Sequence, residues 1–292
     1  MGNKLKIASW NIDLKRKKDD KFIHIINDLL DNNEIVVLNE VCFKHKEIID
    51  KIANERKNMF DYIVNKVNDV GYIMMFISKT RFEHITVDND YCLFGMSIID
   101  VLASNAKNEM VRILGVRLHT QLHGNEFKTQ LKDFINMIND KKPDIVIGDF
   151  NWKTTIGTSL VKVLGNVRER KQTDQEFSQN IIAEIVKGKD FPIINKTDEL
   201  ENQFCELINY LSDENNYNIF PFEGEGKGEE TYSVCALIRH KKYYSKPDRL
   251  MWNENKIRCD SVVYEPELVQ GEEFPNDWPS DHSIIKASLY YQ

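Results

Sequence analysis

Short apolar runs that end in carboxylates, amides or histidines recur along this chain of 292 residues. In "DIVIGDFNW" (144–152), residues 144–148 predict a buried strand, and Asp149 and Asn151 follow it one residue apart. Side chains two positions apart on a strand point the same way, so both polar groups would share a face. Either a turn after the strand or the rim of an active site would produce this pattern.

The remaining apolar runs predict a sheet-rich domain with a few helices. Helical spacing of apolar residues predicts helices at 19–32, 44–55 and 124–140. Strands are predicted at 5–12, 34–40, 60–67, 71–78, 81–88, 91–101, 110–118, 144–148, 231–238, 248–252, 256–264 and 282–290. The more polar segment 153–230, with helix candidates at 175–187 and 198–211, is predicted to be an insertion in one domain spanning 1–292. This order favours an α+β or layered α/β/α fold.

Composition excludes several classes of protein. The net charge of −7 and a pI of about 5.6 argue against coating nucleic acid through bulk charge, although a local basic groove is compatible with them. The chain has no apolar run of about 18 residues, so no membrane span is expected. Five scattered cysteines without a CxxC pair disfavour structural zinc and disulfides, and they favour an intracellular location, cytoplasmic with the nucleus not excluded.

Polar residues follow or precede six of the predicted strands. Each of them alone is typical of a turn, a helix cap or a structural histidine, but together they would cluster if the strands shared one sheet edge. Oxygen ligands such as Glu40 and Asp281 suit Mg²⁺ or Mn²⁺, and a histidine held by a carboxylate suits acid–base chemistry. The set is Asn11, Asp13, Glu40, His119, Asp149, Asn151, Asp248, Arg249, Asp281 and His282.

The chain has neither a G-x-S-x-G nucleophile motif nor a Walker A loop. Direct attack of water on a phosphoester is therefore the leading hypothesis for the chemistry.

Six motifs, in order, resemble those of the endonuclease/exonuclease/phosphatase superfamily, which has the DNase I-like fold. They are "SWNID" (9–13), "VVLNE" (36–40), "VRLHT" (116–120), "IVIGDFN" (145–151), "PDRLMW" (247–252) and "SDHSII" (280–285). The resemblance spans nearly the whole chain. It implies an α/β fold, a four-layered α/β sandwich in which two packed mixed β-sheets are flanked by helices, with a metal-dependent site at one end.

The resemblance also implies a metal shell. Glu40 would be the principal ligand of Mg²⁺ or Mn²⁺, with Asn11, Asp13 and Asp281 in or beside the shell. Asn39 stands where the family usually has a glutamine. This shorter side chain is expected to change the contacts around the metal ligands and not the metal itself.

Catalytic roles follow from the same motifs. Asp149 would orient or deprotonate the attacking water, and Asn151 would bind the scissile phosphate. His282, paired with Asp248, would contact the phosphate or act as acid or base, and His119 would hold a phosphate oxygen.

The family's fold does not determine the substrate, so local features must. The basic run "KRKK" (15–18) and the segment "IRHKKYYSKPDRL" (238–250) favour nucleic acid, because cations bind the phosphate backbone and Tyr243 or Tyr244 could stack a base. Lys241, Lys242, Tyr243 and Arg249 are the predicted substrate-binding residues. An ordinary solvated loop is the alternative explanation of both features.

The sequence therefore favours a Mg²⁺-dependent nuclease or phosphodiesterase acting on DNA or RNA, with tyrosyl-DNA phosphodiesterase-like processing of DNA ends as one form. The abasic-site endonucleases are disfavoured, because "LHTQLHG" and "KPDRL" stand where that group carries a YxPN-like motif and a tryptophan. Two alternatives stay open: a phosphatase or phosphodiesterase for a small or lipid phosphate such as an inositol phosphate, and a catalytically inactive binding scaffold. A monomer is assumed.

Overall fold

The computed structural model describes residues 4–12, 19–67, 71–88, 95–118, 125–151, 216–220, 231–232, 234–238, 241–245, 248–266, 268–269, 278–280 and 282–292. These ranges contain three helices: α1 (Asp19–Asn32), α2 (Phe43–Glu55) and α3 (Asn125–Lys141). The strands of the first half are β1 (Lys4–Asn11), β2 (Ile35–Val41), β3 (Phe60–Val67), β4 (Gly71–Ser78), β5 (His84–Val87), β6 (Met96–Ser104), β7 (Met110–Leu118) and β8 (Ile145–Asp149). Those of the second half are β9 (Tyr217–Phe220), β10 (Thr231–Tyr232), β11 (Val234–Ile238), β12 (Lys241–Ser245), β13 (Asp248–Asn253), β14 (Ile257–Glu265), β15 (Leu268–Val269) and β16 (Ile284–Tyr291).

Twelve of these strands form two six-stranded mixed sheets. The first sheet has the order β14-β16-β1-β2-β4-β3 and the second has the order β5-β6-β7-β8-β13-β9. Each sheet has one parallel pair at its centre, β1 with β2 and β7 with β8, and its other pairs are antiparallel. The remaining four strands form two small two-stranded sheets.

The core between the two large sheets is built from alternate residues of their strands. On β7, the side chains of Val111 and Ile113 belong to this core, and Gly115 continues the same face. A Cβ on Gly115 would lie 2.8 Å from Met75 Cε and 3.2 Å from Val37 Cγ1, both in the opposite sheet. Glycine therefore lets the sheets approach closely at this point.

Helices cover the outer faces of both sheets. A second apolar cluster joins α1 and α2 to the outer face of the first sheet, with Phe22, Leu29 and Ile49 among its helical members. Helix α3 packs beside the second sheet, where the rings of Phe134 and Phe150 meet edge to face with centroids 5.6 Å apart. The layers run helix, sheet, sheet, helix, which confirms the predicted sandwich.

Most predicted elements are present within one or two residues of their expected bounds, but three differences stand out. Residues 217–220 lie inside the expected insertion, yet they form strand β9 and pair with β13 at the edge of the second sheet. Residues 241–245 lie between two predicted strands and were not predicted as one, and they form β12. The strands expected at 81–88 and 91–101 are β5 and β6, with shifted bounds. The helix candidates at 175–187 and 198–211 lie outside the described residues.

No helix in the described ranges is long and apolar enough to cross a membrane.

Candidate active site

The polar residues predicted at strand ends converge at one end of the sandwich. In the second sheet, Asp149 pairs in register with Arg117 on β7 and with Asp248 on β13. In the first sheet, Asn11 on β1 pairs with Asn39 on β2. Strands β1, β2, β7 and β8 end at this edge, whereas the antiparallel β13 and β16 begin there.

Asp149 is the centre of this arrangement. Its side chain is fully buried, and three hydrogen bonds hold the carboxylate. Oδ2 accepts from Asn11 Nδ2 at 2.7 Å and from Asn151 Nδ2 at 2.8 Å, and Oδ1 accepts from the backbone N–H of Asn151 at 2.8 Å. Because Asn11 lies in the first sheet, Asp149 ties the two sheets together at the site.

Gly148 allows β8 to reach this position. Its φ is +149°, and a Cβ there would lie 2.0 Å from the carbonyl oxygen of Val116 on the neighbouring strand. No side chain fits at that distance, so only glycine permits this approach of β8 to β7 immediately before Asp149.

Asn151 supports Asp149 by adopting a left-handed backbone conformation, with φ of 51°. This turn brings its side chain back over the strand end, where Nδ2 donates to Asp149 Oδ2 and, at 2.6 Å, to the carbonyl oxygen of Leu118. Both amide hydrogens are therefore committed within the protein. This arrangement leaves no amide hydrogen of Asn151 for the phosphate contact expected from its motif, and it favours a role in holding Asp149 and the end of β7.

Glu40 also departs from regular strand geometry. Strict alternation along β2 would place Glu40 on the helix-covered face with Val36 and Leu38. Its φ of 54° and a register shift between Leu38 and Val41 break the alternation. The Glu40 carboxylate consequently reaches across to the second sheet.

The partner of Glu40 in the second sheet is Arg117. Arg117 Nη2 and Nε both donate to Glu40 Oε1, at 2.6 Å and 3.1 Å. The Arg117 side chain is only 8% exposed and that of Glu40 is 23% exposed. Burial acts to raise the pKa of Glu40, but the charge and hydrogen bonds of Arg117 outweigh it and hold that pKa below its ordinary value.

His282 and Asp248 form a hydrogen-bonded pair. His282 Nδ1 lies 2.8 Å from Asp248 Oδ2, and the Asp248 side chain is almost fully buried. With Nδ1–H donating to the carboxylate, Nε2 is the ring nitrogen available for chemistry. The hydroxyl of Tyr264 donates to the backbone oxygen of Asp248 at 2.7 Å and fixes the start of β13.

Buried side chains also hold the backbone around His282. Ser280 Oγ donates to the backbone oxygen of Asn11 at 2.7 Å and accepts from the N–H of His282 at 3.0 Å. Trp278 and Trp10 both donate their indole N–H to the backbone oxygen of His282, at 2.9 Å and 3.3 Å. His282 is thus fastened directly to the end of β1.

The electrostatics of the site make Asp149 an unusual carboxyl. Burial, and after it the negative charge of Asp248, raise the pKa of Asp149 to about 7, against the opposing positive charges of His282 and Arg117. An acid–base group is most effective when its pKa lies near the working pH. Asp149 is therefore able to exchange a proton near neutrality.

Two buried amide oxygens at this end of the sandwich have no hydrogen-bond donor among the described residues. They are Asn11 Oδ1 and Asn39 Oδ1, on side chains that are 1% and 0% exposed. Asn39 Nδ2 donates to Ser9 Oγ at 3.3 Å. Buried acceptors without a donor are uncommon in proteins, and an oxygen-binding cation is one partner that would satisfy them.

The described residues contain no group of three or more histidine, cysteine, aspartate or glutamate side chains placed to hold a metal ion. Asp13, His119 and Asp281, which were predicted to lie in the site, are outside the described residues, as is the basic run 15–18.

The four predicted substrate-binding residues lie on two strands, β13 and β12. Arg249 is 2% exposed and lies, by alternation, on the face of β13 opposite Asp248, so the structure does not bring it to the site. Substrate binding by Arg249 stays a prediction. Lys241, Lys242 and Tyr243 lie on β12, whose backbone pairs with β11, and the positions of their side chains are outside the described part of the chain.

Two residues of the site were missed in the sequence. Ser280 stands inside the motif "SDHSII" and was given no role. Arg117 stands two positions before His119 in "VRLHT". Its place in the series Val111, Ile113, Gly115, which is otherwise free of polar side chains, was the signal that could have identified it.

Solved structures of similar fold cover almost the whole chain at low sequence identity. TDP2 from D. rerio, complexed with single strand DNA product, is 12% identical with a TM-score of 0.59, covering 98% of this chain and 99% of that chain. The human Nocturnin catalytic domain with bound sulfate anion is 14% identical with a TM-score of 0.56, covering 99% and 94%. ANGEL2, a 2',3'-cyclic phosphatase, is 12% identical with a TM-score of 0.59, covering 99% and 95%.

At this identity the likeness concerns the fold. No curated protein is significantly similar to the chain in sequence. Residues 8–282, however, match the Endonuclease/Exonuclease/phosphatase family. That range includes every element of the site described above, from Asn11 to His282. The chain therefore belongs to the endonuclease/exonuclease/phosphatase family of phosphoric ester hydrolases.

Proposed function

We propose that the chain is a metal-dependent phosphodiesterase that hydrolyses phosphoester bonds of nucleic acid by direct attack of water. The observation that carries the proposal is the buried Asp149 carboxylate, fixed by three hydrogen bonds beside the His282–Asp248 pair. A carboxylate of raised pKa next to a histidine oriented by a second carboxylate matches the needs of general acid–base hydrolysis.

A divalent cation fits the residues at this end of the sandwich. Asn11 Oδ1 is a buried acceptor without a donor, and Glu40 is a carboxylate of lowered pKa whose Oε2 lies outside the pair with Arg117. These are hard oxygen donors of the kind that bind Mg²⁺ or Mn²⁺, and Asp13 and Asp281 are proposed to complete the set. When bound, the cation would neutralise phosphate charge and stabilise the leaving oxygen.

The chain's own residues would perform the proton transfers. Among the described residues, Asp149 Oδ1 accepts one hydrogen bond and Oδ2 accepts two, so Oδ1 is the atom placed to take a proton from the attacking water. His282 would donate a proton from Nε2 to a phosphate or leaving oxygen, because Asp248 stabilises its charged form. Asn151 would hold Asp149 in place, and His119 is proposed to bind a phosphate oxygen.

Two features support nucleic acid as the substrate class. The segment 238–250 carries an arginine, three lysines and two tyrosines before Asp248. The TDP2 structure of similar fold holds a DNA product. Processing of DNA or RNA ends, including a tyrosyl adduct, is the form of the activity that we propose.

A substrate panel with a metal titration tests this proposal. The panel holds single- and double-stranded DNA and RNA, ends carrying a phosphotyrosyl group or a 2',3'-cyclic phosphate, and inositol phosphates. We expect cleavage of an oligonucleotide that depends on Mg²⁺ or Mn²⁺ and falls at least ~100-fold in Asp149→Ala and His282→Ala. His84→Ala, an exposed histidine at the opposite end of the second sheet, is the matched control and should retain activity.

Turnover of inositol phosphates without cleavage of any oligonucleotide would contradict the assignment of nucleic acid. Binding of oligonucleotides without turnover under any metal condition would instead identify a scaffold.

A further inference from the structure

Arg117 is a buried cation at the proposed metal site, and neither its motif nor the proposed hydrolysis assigns it a role. On β7 it continues the core-facing series of Val111, Ile113 and Gly115, so its side chain points between the sheets. It forms an ion pair with Glu40 that links the second sheet to the first. The proposed metal ligand therefore already has a cationic partner within the chain.

The geometry of the pair shows how Glu40 could serve two cations. A fork-to-fork arginine–carboxylate pair uses both carboxylate oxygens. Here Nη2 and Nε of Arg117 converge on Oε1, at 2.6 Å and 3.1 Å, and Oε2 lies outside the pair. Glu40 can therefore keep Arg117 on one oxygen while the other is a ligand.

Two effects of Arg117 on a cation at Oε2 oppose each other. By holding the carboxylate in one rotamer, Arg117 removes an entropic cost of binding. Its fixed positive charge repels a divalent cation only a few ångströms away, in a place where both side chains are largely buried and screening is weak. The repulsion involves three unit charges at short range, whereas the entropic gain concerns one glutamate side chain, so the repulsion is the larger effect.

We propose that Arg117 is a positioning residue that shares Glu40 with the metal ion and lowers the affinity of the site for it. This inference rests on the proposed function, because it takes Glu40 as a metal ligand. The dissociation constant of the metal ion is then higher than it would be without Arg117. The site consequently fills only at a higher free concentration of the ion.

Metal binding by the substrate-free protein tests the inference without relying on activity. Mn²⁺ is titrated into the wild type, Arg117→Met and Arg117→Lys, with calorimetry or the paramagnetic resonance signal of free Mn²⁺ as the readout. We expect Arg117→Met to bind Mn²⁺ about 10-fold more tightly or better, and Arg117→Lys to stay within about 3-fold of the wild type because it keeps the charge.

Lys286→Met is the matched control. It removes one positive charge from another inter-strand ion pair, Lys286 with Glu265 at 2.6 Å on the first sheet, outside the contacts of the site. It should leave the Mn²⁺ affinity within about 2-fold of the wild type, because the partly exposed lysine pairs with Glu265 and Asp28 and not with Glu40.

Unchanged or weaker Mn²⁺ binding in Arg117→Met would overturn the inference and leave Arg117 as an orienting or structural residue. If the Met variant does not fold, as judged by circular dichroism, Arg117→Gln offers the same loss of charge with a hydrogen-bonding side chain. Failure of the proposed function is distinguishable: the wild type would then bind Mn²⁺ with an affinity that Glu40→Gln does not reduce, or would not bind it at all with or without Arg117.

Discussion

Two residues at the site, Glu40 and Asn151, hold left-handed backbone conformations that disfavour side chains with a Cβ. Both residues lie within two positions of the end of a strand. The Glu40 side chain turns toward the opposite sheet, and the Asn151 side chain turns back over its own strand end. Backbone strain of this kind persists only where the surroundings impose it, and it concentrates at functional sites. The same edge holds Asp149, whose buried carboxylate accepts hydrogen bonds only from neutral amides among the described residues.

The raised pKa of Asp149 predicts a pH-dependent cost to stability in the metal-free protein. Its pKa is about 7 when folded, above the ordinary value of 3.8, so the folded state binds the proton more tightly. Stability contributed by the protonated carboxyl is full below pH ~4 and is lost as the pH rises toward ~7. Asp149→Asn removes this titration and should gain at least ~1 kcal/mol relative to the wild type on going from pH 5 to pH 8.

Denaturant unfolding at the two pH values, with metal chelated, measures this double difference. The asparagine side chain cannot accept all the hydrogen bonds of the carboxylate, and this lowers the free energy of unfolding at both pH values. The loss therefore cancels in the double difference. An equal effect of the substitution at pH 5 and pH 8 would show that Asp149 titrates in its ordinary range.

At the scale of elements, two tyrosine hydroxyls brace the second sheet, one near each end of strand β13. At its start, Tyr264 on β14 donates to the backbone oxygen of Asp248. At its far end, β13 pairs with β9, on which the hydroxyl of Tyr217 donates to the backbone oxygen of Pro143. Both tyrosines are buried, so the two contacts are chemically alike and differ in their distance from the site.

Tyr264→Phe and Tyr217→Phe therefore form a matched pair. Each leaves a buried carbonyl oxygen without its donor and should lower the free energy of unfolding by about 1–3 kcal/mol. Only Tyr264→Phe should also lower kcat, by roughly threefold or more with KM little changed, because it loosens Asp248 behind His282. Equal kcat values in the two variants would show that the position of β13 does not limit the reaction.

At the scale of the whole molecule, the two ends of the sandwich are chemically different. Opposite the site, charges are closed into ion pairs: Arg112 with Asp100 at 2.6 Å and with Asp88 at 3.2 Å, and Lys256 with Asp144 at 2.8 Å. At the site end, buried amide oxygens lack donors and a buried aspartate has a raised pKa. Ion pairs therefore stabilise the end opposite the site, whereas the site end holds a carboxyl that can exchange a proton near neutrality.

Arg112→Met should accordingly reduce stability but not activity. It leaves the fully buried Asp100 without its partner, and loss of one member of a buried ion pair costs roughly 3–5 kcal/mol. We expect a lower midpoint of denaturant unfolding, with kcat/KM within about twofold of the wild type. Asp100→Leu added to Arg112→Met should recover much of the stability, whereas an additive further loss would contradict the pairing argument.

The elements themselves were predictable, because apolar runs and their spacing are local properties of the sequence. Strands 60–67, 71–78 and 110–118 and helix 19–32 coincide with their predicted bounds. The pairing of Asp248 with His282 followed from the resemblance of two motifs, and the structure places these side chains in contact. The catalytic and metal-binding roles of the site stay predictions.

Other features depend on which strands become neighbours, and the sequence does not contain that information locally. The contact of Arg117 with Glu40 spans 77 positions and requires the two sheets to face each other in one register. Asn151 Nδ2 donates to both Asp149 and Leu118 only because the backbone of Asn151 has a left-handed φ. Strand β9 has only four residues and lies within a polar segment, so its composition does not predict a strand. Its pairing with β13 is what makes it one.

The order of strands in the first sheet bears on how the protein is made. β16, last in sequence among the described strands, lies between β14 and β1, and Ser280 and His282 just before it bond to Asn11 and Trp10 near the beginning. During synthesis, Asn11, Glu40 and Asp149 all leave the ribosome well before this strand does. A growing chain thus carries these three groups before β16 is available to pair with β1 and β14. The proposed catalytic pair of Asp248 and His282 is complete only when this last segment has been made, so unfinished chains are expected to lack the proposed activity.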